Sequence, residues 1–280
     1  MEKKILITAI ILFIIVTVFF AGCLGLKEEE KRYVVDYKIV DDEIGDETLI
    51  TKVYQFTYYN KDWHIVASVP KYRYDAYVNE KYLVVKKNRP KSTDPYFYSI
   101  EPQEQRAFII DEYVNDVVEQ FKIQNGPLTD EEIINVITYF VQSQIQYEDD
   151  GIQYGKEYTA YPMQTLINGK GDCDCVAVLL AGLLNHAGYN SIVVYIPGHM
   201  ITGVNERAIN LKNEGEFIYN NQNKYYLIEA TSVKSIGQLD NYNVQLVKKQ
   251  CYIYDKGEEF AYKDESLEYM RNVFTDEYTI

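Results

Sequence analysis

The apolar and polar positions of this chain change period several times, and each change marks an element. Residues 1–22 carry Lys3 and Lys4 and then an almost unbroken apolar run from Ile5 to Ala21. A run without a polar face, preceded by lysines, reads as an export or anchoring segment with a cytoplasmic N-terminus. Its length lies at the lower limit for crossing a bilayer, so a signal peptide and a membrane anchor both fit. Residues 23–45 are polar, fully charged from Lys27 to Arg32, and read as a tether with room for a short strand at Tyr33–Val40. Thr48–Tyr59 and Trp63–Val69 are rich in β-branched and aromatic residues and predict a hairpin turning at Asn60-Lys61-Asp62. A helical stretch from Tyr72 to about Val85 follows, ending in the loop Asn88–Pro95, whose prolines mark an internal boundary.

Helical periodicity then takes over. Phe108, Ile109, Tyr113, Val117 and Phe121 predict a helix over Glu104–Phe121, stopped by Asn125-Gly126-Pro127. Thr129 and Glu132 fit a capping box that opens a helix through Ile133, Ile137, Phe140 and Val141. Residues 147–160 read as a polar loop, and Val176–Leu184, rich in alanine and leucine, as a helix closed by Gly188. Beyond it the period becomes two: Ile192–Ile196, Met200–Val204, Glu216–Tyr219 and Tyr225–Ala230 predict consecutive antiparallel strands. Helices first and strands later make an α+β fold of helices packed on an antiparallel sheet. The organisation expected is a membrane segment (1–22), a tether (23–45), a hairpin and helical region (46–125), a core (126–240) and a C-terminal extension (241–280).

Composition narrows the function. A net charge of −14 speaks against nucleic acid as a partner. The 28 tyrosines read as amphipathic rings at strand and helix surfaces rather than as a carbohydrate-stacking array. Four cysteines, Cys23, Cys173, Cys175 and Cys251, are too few for a disulfide framework. Cys175 and Cys251 are compatible either with a bridge or with two buried thiols.

Gly169-Lys170-Gly171-Asp172-Cys173 sets a cysteine where a glycine-rich turn enters a helix. Unpaired N–H groups at a helix start stabilise a thiolate, so the thiol is expected to titrate below about 8.5, with Gly169 and Gly171 allowing a tight turn and close approach of a substrate carbonyl. Of the three histidines, His186 lies on the same predicted helix, about 20 Å along its axis, and His64 belongs to the hairpin. His199, after Pro197-Gly198 at the head of a strand, is the base that remains. If its strand neighbours Tyr225–Ala230, Glu229 can meet it as a cross-strand pair; otherwise Glu229 is a solvated strand-end charge. Cys173 and Cys175 point to opposite sides of a helix, and Cys173 shares the stripe of Ala177, Leu180, Leu184 and Ala187, which selects it as the nucleophile. The same divergence sets aside a zinc site on Cys173 and Cys175.

These residues resemble the transglutaminase-like superfamily, related in fold to papain-like peptidases, and in particular its exported archaeal type. The resemblance runs from about Tyr139 to Gly237: Tyr161-Pro162-Met163-Gln164-Thr165-Leu166, Gly171-Asp172-Cys173 with Ala177, Pro197-Gly198-His199, and Tyr225 through Glu229-Ala230-Thr231. It implies a Cys-His-acid triad of Cys173, His199 and Glu229, the last standing where most of the superfamily has aspartate. The function expected is thioester-mediated acyl transfer, with hydrolysis of a peptide or isopeptide bond at the cell surface preferred over crosslinking. The Cys173 N–H, with Gln164 as a weaker addition, would hold the oxyanion. Phe20-Ala21-Gly22-Cys23 resembles a lipobox, which implies lipidation of Cys23 and an anchored body outside the membrane. The partners are then a peptide or protein substrate and, through the N-terminus, the membrane; no metal or cofactor is called for. A catalytically silent module of the same fold, binding peptides or surface proteins, is the alternative.

Overall fold

Alternation builds the first pair of elements. The computed structural model describes residues 48–79, 105–108, 111–155, 158–209, 211, 215–220, 223–249 and 251–254. Within it β1 (Leu49–Tyr58) and β2 (Lys61–Pro70) form an antiparallel hairpin, with Trp63, Ile65, Ala67 and Val69 turned inward. The turn is Tyr59-Asn60, one residue earlier than expected. Both residues have positive φ, 46° and 59°, as a two-residue turn matched to strand twist requires, so Lys61 and Asp62 already belong to the strand. α1 (Lys71–Val78) follows at once and is capped at Asn79. The rest of the stretch predicted to reach Val85 lies outside the described residues, as do the membrane segment, Cys23, the tether and the loop 88–95.

The single helix expected over Glu104–Phe121 is two elements. Gln105–Phe108 is a 3₁₀ turn, and α2 (Glu112–Ile123) starts afresh at Asp111, whose carboxylate accepts the Tyr113 N–H at 2.9 Å. An aspartate that caps an N–H opens a helix, and here it outweighs the apolar spacing that runs through it. α3 (Asp130–Gln144) opens on the capping box: the Thr129 N–H donates to Glu132 at 2.8 Å, and the Thr129 hydroxyl accepts the Glu132 N–H at 3.2 Å. The polar loop contains β3 (Gln146–Tyr147) and the short α4 (Asp150–Gln153). α5 (Pro162–Asn168) and β4 (Lys170–Gly171) lead to the cysteine, and β3 pairs with β4 in parallel, Tyr147 opposite Gly171.

α6 (Cys173–His186) is the central element, buried at every residue from Asp174 to Leu184. That is why its sequence is apolar all round rather than along one stripe. At its end the His186 Nε2 accepts the Asp111 N–H at 3.0 Å while Nδ1 lies 2.8 Å from the Gly182 carbonyl. An Nε2 that accepts leaves the proton on Nδ1, so this histidine is a structural link between α6 and α2.

The sheet follows: β5 (Ser191–Ile196), β6 (His199–Asn205), β7 (Phe217–Asn220) and β8 (Asn223–Ile228), then α7 (Asn241–Lys249) and β9 (Tyr252–Tyr254). Its order is β7-β8-β6-β5-β9, antiparallel throughout. Val193, Met200, Val204, Tyr226 and Ile228 face the core shared with α6 and the hairpin. Ile192, Val194, Ile201, Tyr225 and Leu227 face the other way and collect Val247 of α7 and Cys251. The fold is therefore a mixed α+β arrangement with an antiparallel sheet. The hairpin shares the main core, and the fifth strand and a packing helix come from beyond residue 240. Tyr77, Tyr225 and Tyr226 are fully buried, so the tyrosines are not confined to surfaces as expected. Among the described residues no helix is long and apolar enough to cross a membrane.

Gly169, with φ 67°, caps α5 in the left-handed conformation that favours glycine. Gly171 serves packing rather than substrate approach: a Cβ there would stand 2.6 Å from the Cys175 Cβ. Both atoms are fixed by backbone, so Gly171→Ala is expected to cost about 1–3 kcal/mol in urea unfolding. The loss should persist in a Cys175→Ala background, because the clash is with Cβ and not with sulfur.

Candidate active site

β6 opens on His199 directly after the Pro197-Gly198 turn. The β6–β8 ladder ends at Thr202 opposite Ile228, and Glu229 is the next residue. Continuing the register sets Glu229 opposite Ile201 and diagonal to His199, within reach of long side chains on one face. The His199 Nε2 lies 3.0 Å from Oε2 and 3.1 Å from Oε1 of Glu229. Oε1 also accepts the Thr231 N–H at 3.1 Å and its hydroxyl at 2.7 Å, and Oε2 accepts the Asn243 amide at 3.2 Å. The Gln142 amide of α3 donates to the Glu229 backbone carbonyl at 2.7 Å and to that of Lys234 at 3.0 Å. Burial by itself would raise the Glu229 carboxyl, but the His199 ring and the two Thr231 donors outweigh it and hold it at about 2. An ionised Glu229 accepting from Nε2 makes Nδ1 the proton acceptor of the ring.

Cys173 is the first residue of α6, half-buried, with Asp172 as the cap. The backbone N–H groups of Met200 and Asp174 act to favour its thiolate. α6 and β6 meet again where the Thr202 hydroxyl donates to the Ala177 carbonyl at 3.0 Å. The structure thus joins His199 to Glu229 and seats Cys173 against the residue after His199. Among the described contacts no hydrogen bond links the Cys173 sulfur to the ring.

The expected lowering of the thiol is corrected. Burial first, then the charges of Asp172 and Asp174, push Cys173 up to about 12, against the two N–H groups. Asp172 is itself pushed up to about 9, by burial, by its hydrogen bond to Asp174, and by the charges of Asp174 and Asp150. At neutral pH Asp172 is therefore held towards its protonated form, which reduces the charge beside the thiol. The helix-end argument misses this because Asp-Cys-Asp places two carboxyls in the same turn.

Cys175 is fully buried with Tyr158 and Ala160; its sulfur accepts the Ala160 N–H at 3.1 Å and lies 3.3 Å from the Tyr158 carbonyl. Cys251 packs on the far face of the sheet, and both are free thiols. Ligand-type atoms of Asp150, Asp172, Asp174 and Cys175 lie within 4.8 Å of one another. Protein donors already serve this buried group: the Tyr158 N–H on Asp150, the Thr159 hydroxyl on Asp174, and the Cys175 N–H on Asp174 at 2.6 Å. Its role is to hold the 158–160 segment against α6, and Arg106 closes it from outside, bonded to the Thr159 carbonyl and stacked 4.2 Å over the Tyr161 ring.

Gln164 has, among the described contacts, no link to Cys173 or His199. Its Oε1 accepts the Tyr161 N–H at 3.4 Å and the Tyr158 hydroxyl at 3.0 Å, capping α5, and it lines a cavity of about 380 Å³ with Tyr74, Tyr154 and Lys170. Residues that the sequence did not single out stand closer. Gln142, Thr231 and Asn243 frame Glu229, and Tyr147 carries an exposed ring near Cys173 through its pairing with Gly171. The Tyr147 hydroxyl is raised by burial and by Cys173. Of these, only Thr231 carried a local signal, as a hydroxyl two residues after the acid.

In sequence the chain matches no family model and no curated protein. Among solved structures it is similar to a presumed protease from Parabacteroides distasonis, at 12% identity and a TM-score of 0.33, over 69% of this chain and 43% of that one. A likeness at that level carries no argument about the fold or the site.

Asp172 makes a pH prediction. Its folded pKa of about 9 lies above the ordinary carboxylate value, so the folded state binds the extra proton and this group's contribution to stability falls as pH rises from about 4 to 9. The substitution Asp172→Asn keeps a capping side chain and lacks that loss. The Tm difference between this variant and the wild type should therefore move in the variant's favour across this window in a melting series.

Proposed function

We propose that this chain is a tethered, cysteine-dependent acyl-transfer enzyme of the transglutaminase-like type that hydrolyses peptide or isopeptide bonds. In this reading Cys173 is the nucleophile, His199 the base, and Glu229 the group that orients the base. The observation that supports it is the His199–Glu229 pair: a carboxylate with donors on both oxygens takes Nε2, leaving Nδ1 to accept a proton. The N–H of the next residue, Met200, acts to favour the Cys173 thiolate.

The thiol is protonated at rest, so attack and proton transfer go together. Nδ1 takes the thiol proton as sulfur bonds to the substrate carbonyl carbon. The Cys173 N–H, in the first turn and without an intrahelical acceptor, is placed to donate to the oxyanion. Collapse of the adduct breaks the C–N bond, and the imidazolium gives its proton to the leaving amine. Water, deprotonated by Nδ1, then attacks the thioester, releasing a carboxylic acid and restoring the thiol. Residues 1–22, with lipidation at Cys23, tether the body outside the membrane, where water is the abundant acceptor and protein the accessible substrate.

A second reading is a silent module of the same type that binds peptides or surface proteins. The observation that favours it is the buried thiol without a hydrogen bond to the ring, although such bonds are often long before substrate arrives.

Alkylation separates the two. Iodoacetamide should label Cys173 at pH 6 in the wild type at least about tenfold faster than in His199→Ala, as read by mass spectrometry. Equal, slow labelling would sink the enzyme reading, and peptide binding by Cys173→Ser without turnover in the wild type would establish the module.

A further inference from the structure

We propose that Asn243, on α7, is a positioning residue for the His199–Glu229 pair, so that the C-terminal helix belongs to the active-site framework. The inference rests on the reading of Cys173, His199 and Glu229 given above.

The Glu229 carboxylate has two oxygens with different support. Oε1 is held from its own chain segment by the Thr231 N–H and hydroxyl, at 3.1 and 2.7 Å, with the His199 Nε2 also 3.1 Å away. Oε2 has two described donors, the His199 Nε2 at 3.0 Å and the Asn243 amide at 3.2 Å. The ring is the partner that changes charge during a proton transfer, so Asn243 is the donor on Oε2 whose state stays constant. It fixes the plane of the carboxylate while the imidazole gains and loses its proton.

The placement of Asn243 is built into the fold. Asn243 and Val247 lie one turn apart on the same face of α7, with Leu246 beside them. Val247 is buried against Ile192, Val194, Ile201 and Leu227, and Leu246 packs on the same cluster. The apolar seat of the helix therefore determines where the amide arrives. The loop between β8 and α7 is held by Gln142 and by the Lys234–Asp240 ion pair at 2.6 Å. Among the described residues, the charged and titratable groups that these contacts place around the carboxylate are His199 from β6 and, along the loop, Lys234 paired with Asp240. Glu229 faces uncharged donors from α3, α7 and its own turn.

Two variants test it. Asn243→Ala removes the donor. Asn243→Asp keeps the shape but sets a second carboxylate against Oε2; two carboxylates in contact share one proton, so a carboxyl step near pH 5–6, absent from the wild type, is expected by ¹³C NMR of carboxyl-labelled protein. Once protonated, the new aspartic acid can donate to Oε2 as the amide does. The Cys173 alkylation rate of Asn243→Asp should therefore gain about tenfold on that of Asn243→Ala between pH 8 and pH 5, a change of about one pH unit in apparent titration at the pair. If the residue were only a packing element, both variants would lose rate in parallel at every pH. A constant ratio, or no new carboxyl step, overturns the proposal. The carboxyl titration needs no chemistry at Cys173, so it decides the role of Asn243 even if wild-type labelling proves independent of His199, the result that defeats the enzyme reading alone.

Discussion

A carboxylate that stays ionised in the interior must have its oxygens answered by donors, and the architecture around Glu229 is arranged to do so. Its side chain is almost wholly enclosed, yet four donors reach its oxygens and a fifth holds its backbone carbonyl. They come from β6, from the turn after β8, from α3 and from α7. Elements far apart in sequence thus converge on one anion. The same convergence sets the tautomer of His199, because a ring that donates from Nε2 offers Nδ1 as its base. What makes the carboxylate acidic therefore also orients the ring of His199.

Much of this fold can be read from period alone. The capping box at Thr129 and the change to period two after Gly188 follow from local rules and the structure carries them, whereas the strand order departs from sequence order, with β6 pairing with β8 and not with β7. The errors lie where two local signals compete. Asp111 sits inside an apolar helical pattern and caps a new helix, so spacing merges what hydrogen bonding divides. Gly171 stands where glycine is commonly read as room for substrate, whereas the space it leaves is filled by the Cβ of Cys175, a contact set by the fold.

The surroundings of the candidate site were less legible than its three principal residues. Cys173 stands out at a helix start, His199 by elimination and Glu229 through the family resemblance, but the donors that frame the acid carry no such mark. Gln142 lies on a helix with nothing to mark it, and Asn243 lies past the point where the pattern suggests the core has ended. Both act through tertiary contacts whose partners are remote in the chain. The terminal segment reads as an extension because it is polar and short of apolar residues, yet Val247 and Cys251 suffice to seat it on the far face of the sheet.

The first turn of α6 has to meet demands that pull apart. A capping oxygen is needed for the open N–H groups, and a carboxylate is a good one, but a full charge beside Cys173 opposes thiolate formation. A second carboxyl, Asp174, is required on the same turn to hold Thr159 and the Cys175 N–H. Two ionised carboxylates there would set both charges against the thiol and against each other. The raised pKa of Asp172, about 9, eases the conflict: the acid still offers an oxygen to the helix, bonds to Asp174, and carries less charge than the sequence writes. The remaining charge and the burial of the sulfur keep Cys173 a thiol at rest. In the reading proposed above, chemistry at this residue then needs a base to take the thiol proton as attack proceeds, and the framework around Glu229 holds His199 for that role.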